Sequence, residues 1–153
     1  MPVRTTTRMR AMALLAAAGL ALPAAACGED GITKTEYLAK AKAVCQKGNQ
    51  ILTEASNATF AKVPPGQKLS DPEIENFVRQ TVVPTIRTQV KELRALPPPK
   101  GKKKNVEEIY RALDKGLDEL ETNPKKLIDG SNVFAEADSL AAKYGITVCA
   151  TTP

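Results

Sequence analysis

The sequence predicts an all-α domain, arranged as an up-down four-helix bundle. Apolar residues recur at three- and four-residue intervals along four segments, and proline- or glycine-rich stretches separate those segments. No segment alternates apolar with polar residues as a half-buried strand does. We expect helices at about 33–58, 70–96, 105–122 and 124–144, with a proline kink in the second.

The first predicted helix begins at a capping box. Thr33 and Glu36 have the spacing at which each side chain binds a free backbone N–H group of the first turn. Cys45 falls on the apolar stripe of this helix, so we expect its side chain to face the core. The predicted inward face consists of Leu38, Ala41, Cys45, Gly48, Leu52 and Ala55.

The second predicted helix follows a loop and contains a proline. Residues 62–68 include two prolines and a glycine, and the Ser-Asp-Pro-Glu sequence at 70–73 is typical of a helix start. Within the helix, the ring of Pro84 lacks an N–H group and collides with the carbonyl group of Gln80. Because the apolar stripe continues in phase beyond Pro84, we expect a kink near Gln80–Pro84 and not a helix end.

The last two predicted helices follow proline-containing breaks. Three prolines at 97–99 end the second helix, and the segment 100–104 is expected to be an exposed basic loop. Asn105 with Glu108 is expected to cap the third helix, and Pro124 to open the fourth. The expected inward residues of the fourth helix are Leu127, Ser131, Phe134, Ala141 and Tyr144.

The first 26 residues have the parts of an export signal. Three arginines lie within residues 1–10, and an apolar run follows at 11–22. That run is shorter than the roughly 20 residues that a membrane-spanning helix needs. Pro23 ends it, and three alanines at 24–26 then precede Cys27.

This order of residues resembles the lipobox of bacterial lipoproteins, with Ala at position 24 where Leu is commonest. The resemblance implies that Cys27 carries a diacylglycerol group and that the bond between Ala26 and Cys27 is cleaved. Residues 1–26 are then a signal peptide, 27–32 a tether and 33–149 the bundle, held to the outer face of the cell membrane by the lipid. Two alternatives are an ordinary secretory peptide cut after Ala26 and an uncleaved anchor helix.

Charge and composition argue against nucleic acid as a partner. The net charge is +5, but three of the 22 basic residues and none of the 17 acidic residues lie in 1–26, so residues 27–153 carry only +2. Tryptophan is absent and aromatic residues make up 4% of the chain, which leaves few side chains for base stacking. Histidine, the commonest general base and metal ligand, is also absent.

Two cysteines remain after Cys27 is assigned to lipid. Gly145 is expected to end the fourth helix in a left-handed conformation, with Ile146 packed back on the last turn and Cys149 just beyond. An up-down bundle returns the chain to the end where the first helix starts, so Cys45 and Cys149 can meet and form a disulfide in an oxidising compartment. The alternative is a pair of free buried thiols.

Several segments taken in order resemble a group of small exported lipoproteins from actinobacteria. These are TKTEYLAKAKAVCQKGN, then VVP in the second helix, then LPPP, then FAEADSLAAKYGITVC. The resemblance covers most of residues 32–149. It implies an exported helical domain and supplies no catalytic residue or cofactor.

The remaining motifs favour a non-catalytic module that binds or scaffolds a partner in the cell envelope. No Glu-x-x-His motif, phosphate-binding loop or serine nucleophile motif occurs. The acids of the third helix form a cation site or a solvated face, and Asp138 pairs with a lysine, lines a polar seam or is a buried functional acid. The tyrosines are expected in the core or at its rim. The basic residues Lys100, Lys102, Lys103 and Lys104 either keep the loop soluble or contact anionic lipid, an acidic polymer or an envelope protein.

Two other functions stay open at this point. One is a carrier of a small apolar ligand, held in a cavity that a kink at Pro84 would open between helices. The other is an enzyme that uses carboxylates or lysines.

Overall fold

The protein is helical and without strands throughout the part that the computed structural model describes, residues 31–147 and 149. The predicted all-α class is therefore confirmed. The helices are α1 (Lys34–Phe60), α2 (Asp71–Phe77), α3 (Val83–Arg94), α4 (Lys103–Thr122) and α5 (Ala135–Tyr144). A π-helical turn, Val78–Val82, joins α2 to α3, and a short 3-10 helix, Pro124–Leu127, follows α4.

Both helix starts that carry a serine or threonine with a glutamate three residues later form as expected. The Thr33 hydroxyl accepts a hydrogen bond from the backbone N–H of Glu36 at 3.2 Å, and the Glu36 carboxylate accepts one from the N–H of Thr33 at 2.9 Å. Before α2, the Glu73 carboxylate accepts hydrogen bonds from the N–H and the hydroxyl of Ser70. These bonds satisfy donors that a helix start would otherwise leave free.

A π-helical turn, Val78–Val82, lies where the sequence predicted a kink near Gln80–Pro84. The N–H of Val83 donates to the carbonyl of Val78, five residues back, where an α-helix would bond four residues back. Pro84, directly after this turn, donates no backbone hydrogen bond. The extra residue in the turn absorbs the interruption, and helical structure continues to Arg94.

The predicted start of the third helix is wrong. The helix begins at Lys103, and its N-cap residue, Lys102, makes no side-chain capping bond, so Asn105 lies inside the first turns. Gly101 has a left-handed φ of 63°, and the N–H of Lys102 donates to the carbonyl of Pro99 at 3.0 Å. This tight turn starts the helix early, so two of the five residues of the expected basic loop, Lys103 and Lys104, are helical.

The predicted continuous helix at 124–144 is also wrong. After the 3-10 helix the chain turns at Gly130, where φ is 74°, and α5 begins only at Ala135. The side-chain carbonyl of Asn132 accepts from the N–H of Phe134 at 3.1 Å and stabilises the new start. Leu127 and Ser131, both predicted to face inward, lie in the interrupted segment and are exposed.

The core is built around α4, which contacts α3 on one side and α5 on the other, while α1 packs on α3. The predicted end of α5 is confirmed: Gly145 has φ 102°, the N–H of Ile146 donates to the carbonyl of Ala141 at 2.8 Å, and Ile146 is buried. The most deeply buried side chains are Tyr37, Leu117, Leu120, Val78, Pro99 and Cys45.

Candidate functional site

The two cysteines beyond residue 27 come together as predicted. Cys45 is buried on the inward face of α1, and its Cα lies 5.2 Å from the Cα of Cys149, with the two sulfur atoms at disulfide-bonding distance. The pair joins positions 104 residues apart. It attaches the segment after α5 to the middle of α1.

All three tyrosines of the protein form one cluster. Tyr37 of α1 and Tyr110 of α4 are hydrogen-bonded through their hydroxyl groups, and the Tyr110 hydroxyl donates to the carbonyl of Leu93 at 3.1 Å. The rings of Tyr37 and Tyr144 meet edge to face, with centroids 6.2 Å apart. Each ring is buried, so the cluster belongs to the core.

Burial raises the pKa of each phenol above its ordinary value of 10, most strongly for Tyr110, where the neighbouring Tyr37 acts in the same direction. Because their pKa values lie above 10, the hydroxyl groups stay protonated near neutral pH. The guanidinium of Arg94 lies over the Tyr110 ring and the ammonium of Lys34 over the Tyr144 ring, at 5.3 and 4.7 Å from the centroids. The buried Tyr144 hydroxyl has no hydrogen-bond partner among the described residues.

A groove beside Pro84 lies where the sequence placed a possible ligand cavity. It holds about 200 Å³ between α1 and α3 and is open to the surface, and Ile51 and Thr88 are among its lining residues. In its lining, the Gln89 side chain lies against Gly48 and donates to the carbonyl of Cys45 at 3.2 Å. A Cβ at position 48 would overlap the Gln89 side chain, which would have to rotate away and give up this hydrogen bond.

A larger open groove, which we call the distal groove, lies between the end of α1 and the start of α2. It holds about 590 Å³, and Phe60, exposed over 58% of its surface, lines it. Its other apolar lining residues include Val63, Leu69, Ile74 and Ile128. An aromatic ring this exposed beside other apolar residues is typical of a contact surface.

Five of the six acids of α4 form salt bridges with basic residues of neighbouring segments. Asp118 lies 2.8 Å from Arg87, and Asp114 lies 2.8 Å from Arg94. Glu119 pairs with Lys126. Within the described part of the chain, no group of three or more cysteines and acids has the geometry to hold a metal ion.

Asp138 pairs with an amide and not with a lysine. It is half-buried in the first turn of α5, and its carboxylate lies 3.4 Å from the side-chain nitrogen of Asn132. This contact spans the turn that opens α5. Of the roles that the sequence left open for Asp138, the described contacts show neither a lysine partner nor full burial.

The basic residues Lys100, Lys102, Lys103 and Lys104 are all exposed, and none of them forms a salt bridge within the described residues.

The predicted signal peptide, its cleavage bond at Ala26–Cys27 and the lipid site Cys27 lie outside the residues that the structure describes.

One contact near the predicted tether was not foreseen. The N–H of Ile32 donates to the carbonyl of Pro98 at 3.0 Å, and its carbonyl accepts from the N–H of Lys100 at 2.9 Å. An apolar β-branched residue at the end of a polar tether was the available signal. The two backbone hydrogen bonds of Ile32 hold the entering chain against the loop between α3 and α4.

Comparison with known proteins adds no relative. No protein-family model matches the chain, and neither the curated proteins nor the solved structures contain a significant match. Among the described residues, no helix combines the length and the apolar character needed to cross a membrane.

Proposed function

We propose that the protein is a lipid-anchored lipoprotein on the extracytoplasmic face of the cell membrane, and that its domain is a non-catalytic binding or scaffolding module. The observation that carries this proposal is the position of Cys27, directly after an apolar run and three alanines. Lipid on that residue would hold the domain by a tether of a few residues. The resemblance to small exported actinobacterial lipoproteins supports the same location.

The non-catalytic role rests on the chemistry of the side chains. The chain has no histidine, and five of the six acids of α4 are bound to basic residues of neighbouring segments. The buried phenols have raised pKa values and remain protonated. These groups stabilise packing and are poorly suited to proton transfer at neutral pH.

We also propose the up-down-up-down helix order for the bundle. The support is the meeting of Tyr37 near the start of α1, Leu93 near the end of α3, Tyr110 in the first half of α4 and Tyr144 at the end of α5. Chemical cross-links between lysines should join Lys34 to Lys100 and should not join Lys34 to Lys125. The reverse pattern would contradict this order.

The distal groove supports the binding role. It is open and presents Phe60 to solvent, as a contact surface for a partner does. The 20 residues of α4 span about 30 Å, so in the proposed helix order the groove faces away from the anchor. A partner in the envelope could reach it without meeting the membrane.

Intact-mass spectrometry of the protein extracted from its native membrane tests the anchor. We expect a chain beginning at Cys27 with the added mass of diacylglycerol and two hydrogens missing for a disulfide. A chain that retains residues 1–26, or that begins at Cys27 without added lipid, would contradict the anchored function.

Photo-crosslinking in cells tests the binding face. A photoreactive residue at position 60 should give a discrete adduct, whereas the same residue at Arg111, exposed on α4, should not. Equal yields at the two positions, or no adduct at position 60, would argue against the distal groove as the contact surface.

The groove beside Pro84 supports one second candidate, a carrier of a small apolar molecule. Val44, Ile51 and Pro84 line it, at the place where the helix is irregular. A fluorescent fatty acid should bind with saturation, and Ile51→Glu should abolish the signal. Saturable binding that Ile51→Glu leaves unchanged, or no binding at all, would remove this candidate.

A further inference from the structure

The chain enters the folded domain directly beside its basic segment. Ile32 forms two backbone hydrogen bonds with the segment Pro98–Lys100, one in each direction. Gly31 also packs against this segment, since a Cβ at that position would collide with the carbonyl oxygen of Pro98 and would lie 3.2 Å from the backbone nitrogen of Lys100. The position of the lysines relative to the tether is therefore fixed by the backbone.

Five exposed lysines surround this entry point, and we call them the tether-side face. Lys100, Lys102, Lys103 and Lys104 follow the paired segment, and Lys34 lies two residues after Ile32. None of the five forms a salt bridge within the described residues. The ammonium of Lys34 lies over the Tyr144 ring, and the positive charge of the other four lysines is available to an external partner.

Two of the acidic residues near this face are engaged by other groups. The Glu36 carboxylate accepts hydrogen bonds from Thr33, and these bonds are the main reason why the pKa of Glu36 is lowered. The charges of Lys40 and Lys100 lower this pKa further. Glu107 is paired with Arg94. Glu108 is exposed on the second turn of α4, and Glu29 and Asp30 lie in the tether, so with Glu36 four acids offset part of the charge of the five lysines and the face keeps a small positive excess.

We propose that the tether-side face is a docking surface for the anionic phospholipid head groups of the membrane that holds the anchor. This inference rests on the proposed lipid on Cys27. Four residues lie between Cys27 and Ile32, so this tether spans at most about 17 Å when fully extended. A tether bent to about half that span brings the entry point of the domain to within the Debye length, about 8–10 Å, of the head groups.

The face has two effects once docked. Each lysine adds attraction to an anionic surface, so a single lipid-bearing residue gains a second, electrostatic signal for membrane retention. The fixed contact between Ile32 and the basic segment also restricts how the domain tilts. In the proposed helix order, this orientation directs the distal groove away from the membrane.

The test uses the processed lipoprotein inserted into vesicles of phosphatidylcholine alone or of phosphatidylcholine with phosphatidylglycerol. An amine-reactive label, located by mass spectrometry, reports the accessibility of each lysine. On the anionic vesicles, we expect Lys100 and Lys104 to react about fivefold more slowly than on neutral vesicles. Lys62 and Lys68, near the distal groove, should react equally on both, and about 1 M salt should remove the difference.

A matched pair of variants separates this face from general charge. Lys102→Gln with Lys103→Gln should reduce the protection of Lys100 and Lys104. Lys62→Gln with Lys68→Gln removes the same charge from exposed positions elsewhere and should leave that protection unchanged.

The outcomes distinguish the face from the anchor. Lipidated protein that inserts into both vesicles with equal labelling of Lys100 would overturn the docking face and leave the anchor intact. Protein without lipid on Cys27 would instead overturn the proposed function. If soluble polyglycerol phosphate protects Lys100 and Lys104 while anionic vesicles do not, the surface binds an acidic polymer and the membrane proposal is wrong.

Discussion

At the scale of single residues, the three tyrosines differ in what their hydroxyl groups do. The Tyr110 hydroxyl donates to the carbonyl of Leu93 and is hydrogen-bonded to Tyr37, whereas the Tyr144 hydroxyl is buried without a partner among the described residues. A buried hydroxyl that loses its partner costs more than one that is removed altogether. Within the cluster, the Tyr110 hydroxyl therefore stabilises the fold and the Tyr144 hydroxyl destabilises it.

Replacing each tyrosine with phenylalanine should separate these two cases. Tyr110→Phe leaves the Tyr37 hydroxyl unpaired in the core and should lower the free energy of unfolding by about 1–3 kcal/mol. Tyr144→Phe removes a hydroxyl that has no partner and should leave stability unchanged or raise it slightly. Urea unfolding of the two variants measures the difference, and equal losses in both would contradict the assigned hydrogen bonds.

The same tyrosines should make the protein sensitive to alkaline pH. Their pKa values are raised in the folded protein above the ordinary value of 10, so the unfolded chain releases protons that the folded chain keeps. The stabilising effect is complete below about pH 10 and is lost as the pH rises further. Urea unfolding repeated at increasing pH should show this decline.

Lysines titrate in a similar range, so a variant must isolate the tyrosine effect. Tyr37→Phe with Tyr110→Phe should flatten the decline in the free energy of unfolding above about pH 10. In the unsubstituted protein, the ultraviolet absorbance of phenolate should appear together with unfolding. Phenolate that forms at its ordinary pKa while the fold persists would contradict the raised values.

At the scale of helices, the sequence predicted best the elements whose ends depend on local side chains. Thr33 with Glu36, Ser70 with Glu73, and Gly145 each act within a few residues, and each was identified correctly. The start of α4 depends instead on the turn at Gly101, and the break before α5 on the turn at Gly130. Before α5 the apolar spacing continues across the turn, so periodicity extended the predicted helix. Before α4 the capping pair Asn105 and Glu108 placed the predicted start two residues too late.

Gly116 shows how closely α4 approaches the segment before α5. A Cβ at this position would lie 2.6 Å from the Phe134 ring and 2.8 Å from the carbonyl oxygen of Val133. Alanine favours a helix by about 1 kcal/mol relative to glycine. The backbone carbonyl cannot move aside as a flexible side chain can, so the collision should outweigh this gain.

Gly116→Ala should therefore destabilise the protein by about 1–3 kcal/mol despite its higher helix propensity. Gly48→Ala is the matched control, because it makes the same change in α1 against the flexible Gln89 side chain, which can rotate away. Thermal unfolding should show the larger loss for Gly116→Ala. A loss as large or larger for Gly48→Ala would mean that the approach of α4 is looser than described.

At the scale of the whole molecule, long-range contacts were the part least accessible from the sequence. The pairing of Cys45 with Cys149 was predicted because few cysteines remained and an up-down arrangement allowed it. The tyrosine cluster was not, because Tyr37, Tyr110 and Tyr144 lie on different helices and no local pattern joins them. The same holds for the contact of Ile32 with the loop after α3.

The pair Cys45–Cys149 should supply much of the global stability as a disulfide. It closes a loop with a sequence separation of 104, and constraint of the unfolded chain by such a loop amounts to about 4–5 kcal/mol. Small domains have total stabilities of about 5–15 kcal/mol, so the bond is a large part of the difference between folded and unfolded states.

Cys45→Ala with Cys149→Ala should lower the urea midpoint strongly and increase the m-value, because the unfolded chain without the bond expands and exposes more surface. The unsubstituted protein in reductant should behave like this double variant, which separates loss of the bond from loss of the two sulfur atoms in the core. If reductant changes neither the midpoint nor the m-value, and two free thiols react after unfolding without reductant, the bond is absent. The attachment of the final segment to α1 would then depend on non-covalent contacts such as those of the buried Tyr144 and Ile146 side chains.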